Sequence, residues 1–322
     1  MKPKILVTRQ LPEAGLNQLR AYFDVTLNPA DQTLEKGELL DQIKGKDALL
    51  CLLTDTIDQS IIEAGNRLKV ISNYAVGYNN IDVKAATQRN IPVCITPGIL
   101  TEATADLTWA LILAVTRKIV AADQFTRNGL FHGWSPTLFL GSDLTDKTLG
   151  IVGMGRIGAA VAKRAKGFGM KVIYTARSPK EIPDARYVSL DELLTEADII
   201  SLHTPLTAET HHLITQEQFN QMKPTAYLIN TTRGPVVDER DLITALKNHR
   251  IAGAGLDVYE NEPLLTPGLS SLDNVVLLPH IGSATVETRT KMAVIAAENA
   301  IRVLQGEKPH ALANPEVYNG TV

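Results

Sequence analysis

Three glycines, Gly153, Gly155 and Gly158, stand in a G-x-G-x-x-G spacing within residues 148–177, TLGIVGMGRIGAAVAKRAKGFGMKVIYTAR. A short apolar run, Leu149 to Val152, precedes them and suits a buried strand. Ile157, Val161, Ala165 and Phe168 then recur on one helical face, Gly169 can end that helix, and Met170 to Thr175 reads as a second strand. The first glycine permits a tight turn, the second lets a pyrophosphate approach the backbone, and the third lets helix and strand pack closely. The helix N-terminus adds free N–H groups and a partial positive charge. Glycines also mark ordinary turns, but strand, turn, helix and strand in this order point to a dinucleotide site.

The end of the second strand bears on which dinucleotide. An NAD site usually carries Asp or Glu about 20 residues after the glycines, bonded to the ribose 2′-OH. Here the stretch reads Thr175-Ala176-Arg177-Ser178-Pro179-Lys180, with no carboxylate before Glu181. Arg177 and Lys180 can hold a 2′-phosphate, with Ser178 donating a hydrogen bond. The expectation is a preference for NADPH, with NAD also used. The competing reading makes Arg177 an ordinary solvated loop charge.

Three further residues can do proton and carboxylate chemistry. Arg233 follows an apolar run and precedes Gly234, and a guanidinium suits a bidentate grip on a carboxylate. His280 lies in Pro279-His280-Ile281-Gly282 and can give or take one proton near neutral pH. Glu262, between Asn261 and Pro263, can accept the other imidazole N–H and favour the charged ring. Against this, most Arg and Glu residues are solvated surface, and His211 and His212 read as surface residues on a helix.

These residues need elements to position them. A chain of 322 residues with 44% hydrophobic content fits two domains with real cores. A net charge of −3 points to neither nucleic acid nor an acidic membrane surface. Cys51 and Cys94 sit in apolar runs and read as reduced core residues, and no metal site is expected. The N-terminus lacks a signal-peptide pattern, and the run Ala110 to Val115 is far too short to span a bilayer, so a cytoplasmic protein is expected.

Residues 1–100 alternate strand-like runs (Ile5 to Val7, Val25 to Leu27, Ala48 to Leu53, Val70 to Asn73, Val93 to Ile95) with helical stretches, which implies a parallel α/β unit. Two loops follow strands there, Leu52 to Asp55 and Tyr74 to Asp82. Plain turn chemistry is the favoured reading for the first; ligand binding and turn chemistry weigh equally for the second. Thr101 to about Asn128 reads as one long helix, and 129–147 as an irregular aromatic loop around Trp134: an arm for a partner, a lid, or equally a loop packed over its own domain. Beyond the glycines, strands are expected at Asp198 to Leu202, Tyr227 to Asn230, Ala252 to Val258 and Val275 to Leu278, each ending in polar residues. Helices are expected at His211 to Met222, Asp241 to His249 and Thr285 to Leu304, and the tail 306–322 is expected to return to the first domain.

Seven blocks in order, YAVGYNNID, TEATADLTWALILA, GIVGMGRIG, HTPLTAETHHLI, INTTRGPVVDE, AGAGLDVYENEP and LLPHIGSAT, resemble the D-isomer-specific 2-hydroxyacid dehydrogenases along nearly the full length. Within that family the chain looks most like the glyoxylate/hydroxypyruvate reductases, which include 2-ketogluconate reductases. The resemblance implies an α/β protein of two doubly wound domains. A Rossmann NAD(P)-binding domain, 101–287, is inserted into a flavodoxin-like substrate domain, 1–100 plus 288–322. It implies His280 as acid/base, Glu262 as its partner and Arg233 as carboxylate anchor, with N–H groups of Val76 and Gly77 on the same carboxylate. Thr104, Gly155, Arg156, Ile157, Arg177, Ser178, His203, Thr231, Asp257 and Gly282 would line the cofactor. A homodimer is implied, with a small 2-oxo acid as substrate: glyoxylate, hydroxypyruvate or 2-ketogluconate. The missing acid near Ala176 departs from many members and argues against NAD as first choice. A 3-phosphoglycerate dehydrogenase would usually carry that acid, a formate dehydrogenase typically has Gln where Glu262 stands, and the corepressor-like scaffolds of this fold usually carry extra tails.

Overall fold

A computed structural model describes residues 1–318, and they fall into two units, 1–100 with 284–318 and 101–283. The expected tail therefore lies partly, at 319–322, outside the described residues.

In the first unit, β1 (Lys4–Val7), α1 (Glu13–Tyr22), β2 (Asp24–Leu27), α2 (Lys36–Gln42), β3 (Ala48–Cys51), α3 (Gln59–Ala64), β4 (Val70–Asn73), α4 (Val83–Gln88) and β5 (Val93–Cys94) alternate along the chain. The strands pair in the order β2-β1-β3-β4-β5, every pair parallel. That is the flavodoxin-like doubly wound order. β3 and β4 are buried at every position, which is why they read as unbroken apolar runs rather than alternating ones.

The second unit opens with α5 (Thr101–Thr116) and α6 (Ile119–Arg127). There follow β6 (Thr148–Val152), α7 (Arg156–Ala165), β7 (Lys171–Thr175), β8 (Ala185–Tyr187), α8 (Leu190–Glu196), β9 (Ile199–Leu202), α9 (Gln216–Gln221), β10 (Tyr227–Asn230), α10 (Glu239–Lys247), β11 (Gly253–Leu256) and β12 (Val275–Leu277). The sheet runs β12-β11-β10-β9-β6-β7-β8, again all parallel. The order in which successive strands are added reverses beside β6, so the crevice outside the carboxyl ends of β6 and β9 is where this Rossmann sheet receives a ligand. Trp109 of α5 stacks on Phe168 at 4.2 Å and donates its indole N–H to Val161 O at 3.1 Å, fixing α5 against α7. A last helix, α11 (Val286–Leu304), belongs to the first unit. It crosses α1 so closely that a Cβ on Gly15 would lie 2.7 Å from Ala293.

Several elements depart from the sequence expectation. The division falls at Ser283, ahead of 287, because Thr285 caps α11 by accepting the Thr288 N–H and residues 284–287 go with that helix. The long helix expected from Thr101 is two helices, since Lys118 takes a left-handed conformation (φ +53°) and Ser142 N–H claims the Thr116 carbonyl. His211 and His212 stand in turns rather than on a helix: Thr210 folds back on Pro205 O, and a Thr215–Gln218 capping box starts α9 later. The strand β8 had no sequence signal, being a three-residue edge with exposed Arg186 and Tyr187. Among the described residues no helix is long and apolar enough to cross a membrane.

Candidate active site

The glycine turn fits its chemistry residue by residue. Gly153 has φ +100°, and a Cβ there would lie 2.6 Å from His203 O. A Cβ on Gly158 would lie 2.3 Å from Gly153 O, so helix α7 could not sit this close to β6 with any other residue. Gly155, the N-cap of α7, has open space where a Cβ would go, and no side chain caps the helix. Arg156 and Ile157 follow as its first residues, and that turn carries no acid. Backbone donors and a positive helix end are thus open to a pyrophosphate.

Beyond β7 the expectation for Lys180 needs correction. Its ammonium donates to Met154 O at 2.7 Å, and its backbone N–H and C=O both engage the Tyr174 hydroxyl. Lys180 therefore buttresses the glycine loop and is not held out for a 2′-phosphate. Arg177 and Ser178 remain exposed. The Glu209 carboxyl is held below its usual value first by the Thr207 hydroxyl and, less strongly, by the charge of Arg177.

The remaining expected cofactor residues gather at the ends of α5, β9, β10 and β11. Thr104 Oγ1 donates to Gly282 O at 3.1 Å, and Thr108 links Thr104 O to the Thr231 hydroxyl. His203 hydrogen-bonds Ser201 at 2.8 Å, and burial drives its pKa down to about 3, leaving a neutral ring. Asp257 is 1% exposed; its Oδ1 accepts the Ile281 N–H at 2.7 Å, and its buried Oδ2 has no partner among the described residues. Burial pushes this carboxyl up, against the pull of the Ile281 N–H. An orphaned buried acceptor beside Gly282 is what an amide donor such as a nicotinamide carboxamide would satisfy, so the residues present fit that group.

Arg233, Glu262 and His280 also stand in this unit. His280 Nδ1 and Glu262 Oε2 are 2.8 Å apart, with side chains 26% and 30% exposed. Glu262 Oε1 accepts the Tyr259 N–H at 3.0 Å, and the Tyr259 hydroxyl donates to Leu278 O at 2.8 Å, so the two flanks of the pair are tied together. Burial alone would raise the Glu262 carboxyl, but the His280 hydrogen bond, the His280 and Arg233 charges and the Tyr259 N–H outweigh it and hold the group below its ordinary value. An ionised carboxylate only accepts hydrogen bonds, so Nδ1 must carry a proton and Nε2 is the nitrogen left for reaction. His280 itself has φ +54°, a backbone region a non-glycine residue seldom occupies. Burial works against the charged Arg233 guanidinium and the charge of Glu262 supports it. Arg233 Nη1 donates to Thr232 O at 2.7 Å, and Asn230 holds the Arg233 carbonyl. Sequence reasoning missed Asn230, the last residue of β10, and Tyr259, three residues beyond β11, although both lie within the resembling blocks.

In the first unit, Asn73 Nδ2 donates to Gly77 O at 2.9 Å, and Asn80 Nδ2 donates to the carbonyls of Leu52 and Asp55. Among the described residues the N–H groups of Val76 and Gly77 meet no acceptor. Asp55 is buried and accepts the Leu52 N–H at 2.7 Å together with the Thr8 hydroxyl, so Leu52 to Asp55 is a turn closed by its own aspartate.

A parallel dinucleotide sheet whose carboxyl ends also carry a protonatable ring on a carboxylate, and a half-buried guanidinium, has the equipment of a nicotinamide-dependent dehydrogenase for carboxylate-bearing substrates. Comparison with known proteins narrows that class. The family model "D-isomer specific 2-hydroxyacid dehydrogenase, NAD binding domain" matches residues 109–282. A glyoxylate reductase of Thermococcus litoralis is 52% identical, covering 100% of this chain and 99% of the relative. The crystal structure of the TT0316 protein of Thermus thermophilus superposes with a TM-score of 0.92 at 49% identity, over 96% of this chain and 99% of that one. An NADPH-dependent glyoxylate/hydroxypyruvate reductase of Sinorhizobium meliloti, in complex with NADP and malonate, superposes with a TM-score of 0.88 at 32% identity, over 97% of each chain. The chain belongs to the D-isomer-specific 2-hydroxyacid dehydrogenase family and is an NAD(P)-dependent enzyme of that class.

Proposed function

We propose that the protein reduces small 2-oxo acids to D-2-hydroxy acids with NADPH, glyoxylate and hydroxypyruvate being the first candidates and 2-ketogluconate the third. The observation that carries the reading is the 2.8 Å His280–Glu262 pair, in the same unit as Arg233. The names of the relatives support glyoxylate and hydroxypyruvate as substrates. A bound nicotinamide would supply a hydride to the carbonyl carbon. Arg233 grips the substrate carboxylate by its guanidinium fork. His280 gives its Nε2 proton to the carbonyl oxygen, and Glu262 stabilises the imidazolium until transfer. The positive charge of Arg233 stabilises the developing alkoxide. Gly155, Arg156 and Ile157 would hold the pyrophosphate, Arg177 and Ser178 the 2′-phosphate, and Thr104, His203, Thr231, Asp257 and Gly282 the nicotinamide half.

The testing experiment follows NADPH and NADH oxidation with all three oxo acids in parallel. NADPH-linked turnover of the small acids is expected, with kcat/KM for NADPH at least tenfold above that for NADH. Arg177→Ser is expected to reduce that ratio by roughly 10- to 100-fold, the value of one charge-assisted hydrogen bond of about 1.5–3 kcal/mol. A wild-type preference for NADH would overturn the cofactor reading and leave the chemistry intact. Absence of turnover with every acid would overturn the substrate reading.

The same reading makes the protein a homodimer. Helix α6 buries none of its residues, and the following loop exposes Leu130, Phe131, Leu140 and Trp134, the last at 84%. An apolar surface of this kind is what a second copy would cover. Sedimentation should give twice the chain mass, and Phe131→Asp should halve it; a monomeric wild type would sink the assignment.

A further inference from the structure

The reaction described above uses Glu262 but not Glu239, which is 2% exposed and charged by type. Burying a carboxyl is costly unless it is hydrogen-bonded, and the partners of this one are specific. Glu239 Oε1 accepts the Glu260 N–H at 2.7 Å, and Oε2 accepts the Thr266 hydroxyl. Its own N–H donates to Glu260 Oε2 at 3.2 Å. Glu260 Oε1 is in turn 2.8 Å from His212 Nε2, whose Nδ1 lies 3.6 Å from Asp238 Oδ2. Glu239 thus holds both ends of the loop 260–266, and Glu262 lies between the two holds. The loop has little apolar anchorage of its own: Leu264 is 71% exposed and Leu265 36%. The same segment also meets the arginine-bearing turn, since a Cβ on Gly234 would collide with the Tyr259 carbonyl carbon at 1.8 Å.

We infer that Glu239 is a positioning residue, which holds the Glu262 carboxylate on His280 by clamping the loop 260–266 at Glu260 and Thr266. The inference rests on the proton role proposed above for His280 and Glu262. Placement matters because an orienting group a fraction of an ångström out of line loses much of its effect. Besides His280, the groups facing Glu262 are Arg233, Asp257 and Tyr259, the last by its N–H and its hydroxyl, and all of them remain in the variants below.

The test measures kcat and the pH profile of kcat/KM for Glu239→Ala, Thr266→Val, Glu262→Gln and the Glu239→Ala/Glu262→Gln double variant, with NADPH affinity read separately. Glu239→Ala should lower kcat at least tenfold at unchanged NADPH affinity, and the limb of the pH profile set by the pair should move toward that of Glu262→Gln. The loss on Glu262→Gln should shrink in the Glu239→Ala background, because the two act as one unit. Thr266→Val, which removes one hold without touching the buried carboxyl, should move the same limb in the same direction by a smaller amount, and it carries the test if Glu239→Ala does not fold. A wild-type pH profile in these variants, or strictly additive losses, overturns the inference. Near wild-type activity of Glu262→Gln itself would instead overturn the proton role, and the inference with it.

Discussion

Replacing His280 by alanine is expected to lower kcat for the oxo acid by about 10²- to 10⁴-fold, the usual worth of a positioned general acid, while NADPH still binds. The carbonyl oxygen gains a full negative charge as hydride arrives, and without a proton donor that charge must be met by water or by Arg233 alone. Two other imidazoles pair with glutamates, His212 with Glu260 and His310 with Glu298, but neither is among the expected site residues. The His203 ring is held neutral by burial, and the Tyr259 hydroxyl, pushed well up by burial, already donates to Leu278 O. Cofactor affinity should survive because the glycine turn and Arg177 are far along the chain from His280 and owe it no hydrogen bond. Left-handed backbone at φ +54° costs an alanine roughly 1–2 kcal/mol. His280→Asn, which tolerates that conformation better, is therefore the companion variant: equal loss of kcat in both, with a lower melting temperature only in the alanine, would assign the rate effect to the missing imidazole. Near-normal turnover in both would remove His280 from the reaction.

Much of this architecture was legible because parallel sheets bury their strands on both faces. Val70–Asn73 and Tyr227–Asn230 stand in the structure with the bounds their apolar runs announced, since nothing but burial determines them. The elements that escaped are those whose causes are not local. The edge strand β8 carries no apolar signal, and the break at Lys118 depends on Ser142, distant in sequence, taking the Thr116 carbonyl. His211 looked helical only because its apolar neighbours have helical spacing; Thr210 and the Thr215 cap decide otherwise. Within the candidate site, residue type and strand-end position singled out Arg233 and His280 and suggested their roles, and the resemblance implied the same ones. Charge alone misled at Lys180: it suits a phosphate, but its four-carbon stem reaches the Met154 carbonyl. Glu239 was invisible for the opposite reason, because an acid in the first turn of a helix is ordinary and only the fold shows that this one is buried and facing inward.

The other large effect is expected at Arg233. Arg233→Ala should reduce kcat/KM for the oxo acid by about 10²- to 10⁴-fold, in line with the roughly 2–5 kcal/mol lost when one partner of a buried charge pair is truncated. Two consequences add. The substrate carboxylate loses its fork, so the carbonyl is no longer held in line for reaction. Glu262 also loses a positive neighbour that helps keep its carboxyl below the ordinary range. Because burial by itself pushes Glu262 up, taking away Arg233 moves it back toward protonation, and a protonated Glu262 no longer supports a charged imidazole. The deficit in Arg233→Ala should accordingly deepen as pH falls, whereas a pure loss of substrate grip would be independent of pH in that range. Arg233→Lys restores charge but not the planar pair of donors, so it should recover the pH dependence more fully than KM. Added guanidinium ion should raise the rate of the alanine variant and leave the wild type unchanged. A variant with wild-type KM for the oxo acid would show that another group anchors its carboxylate.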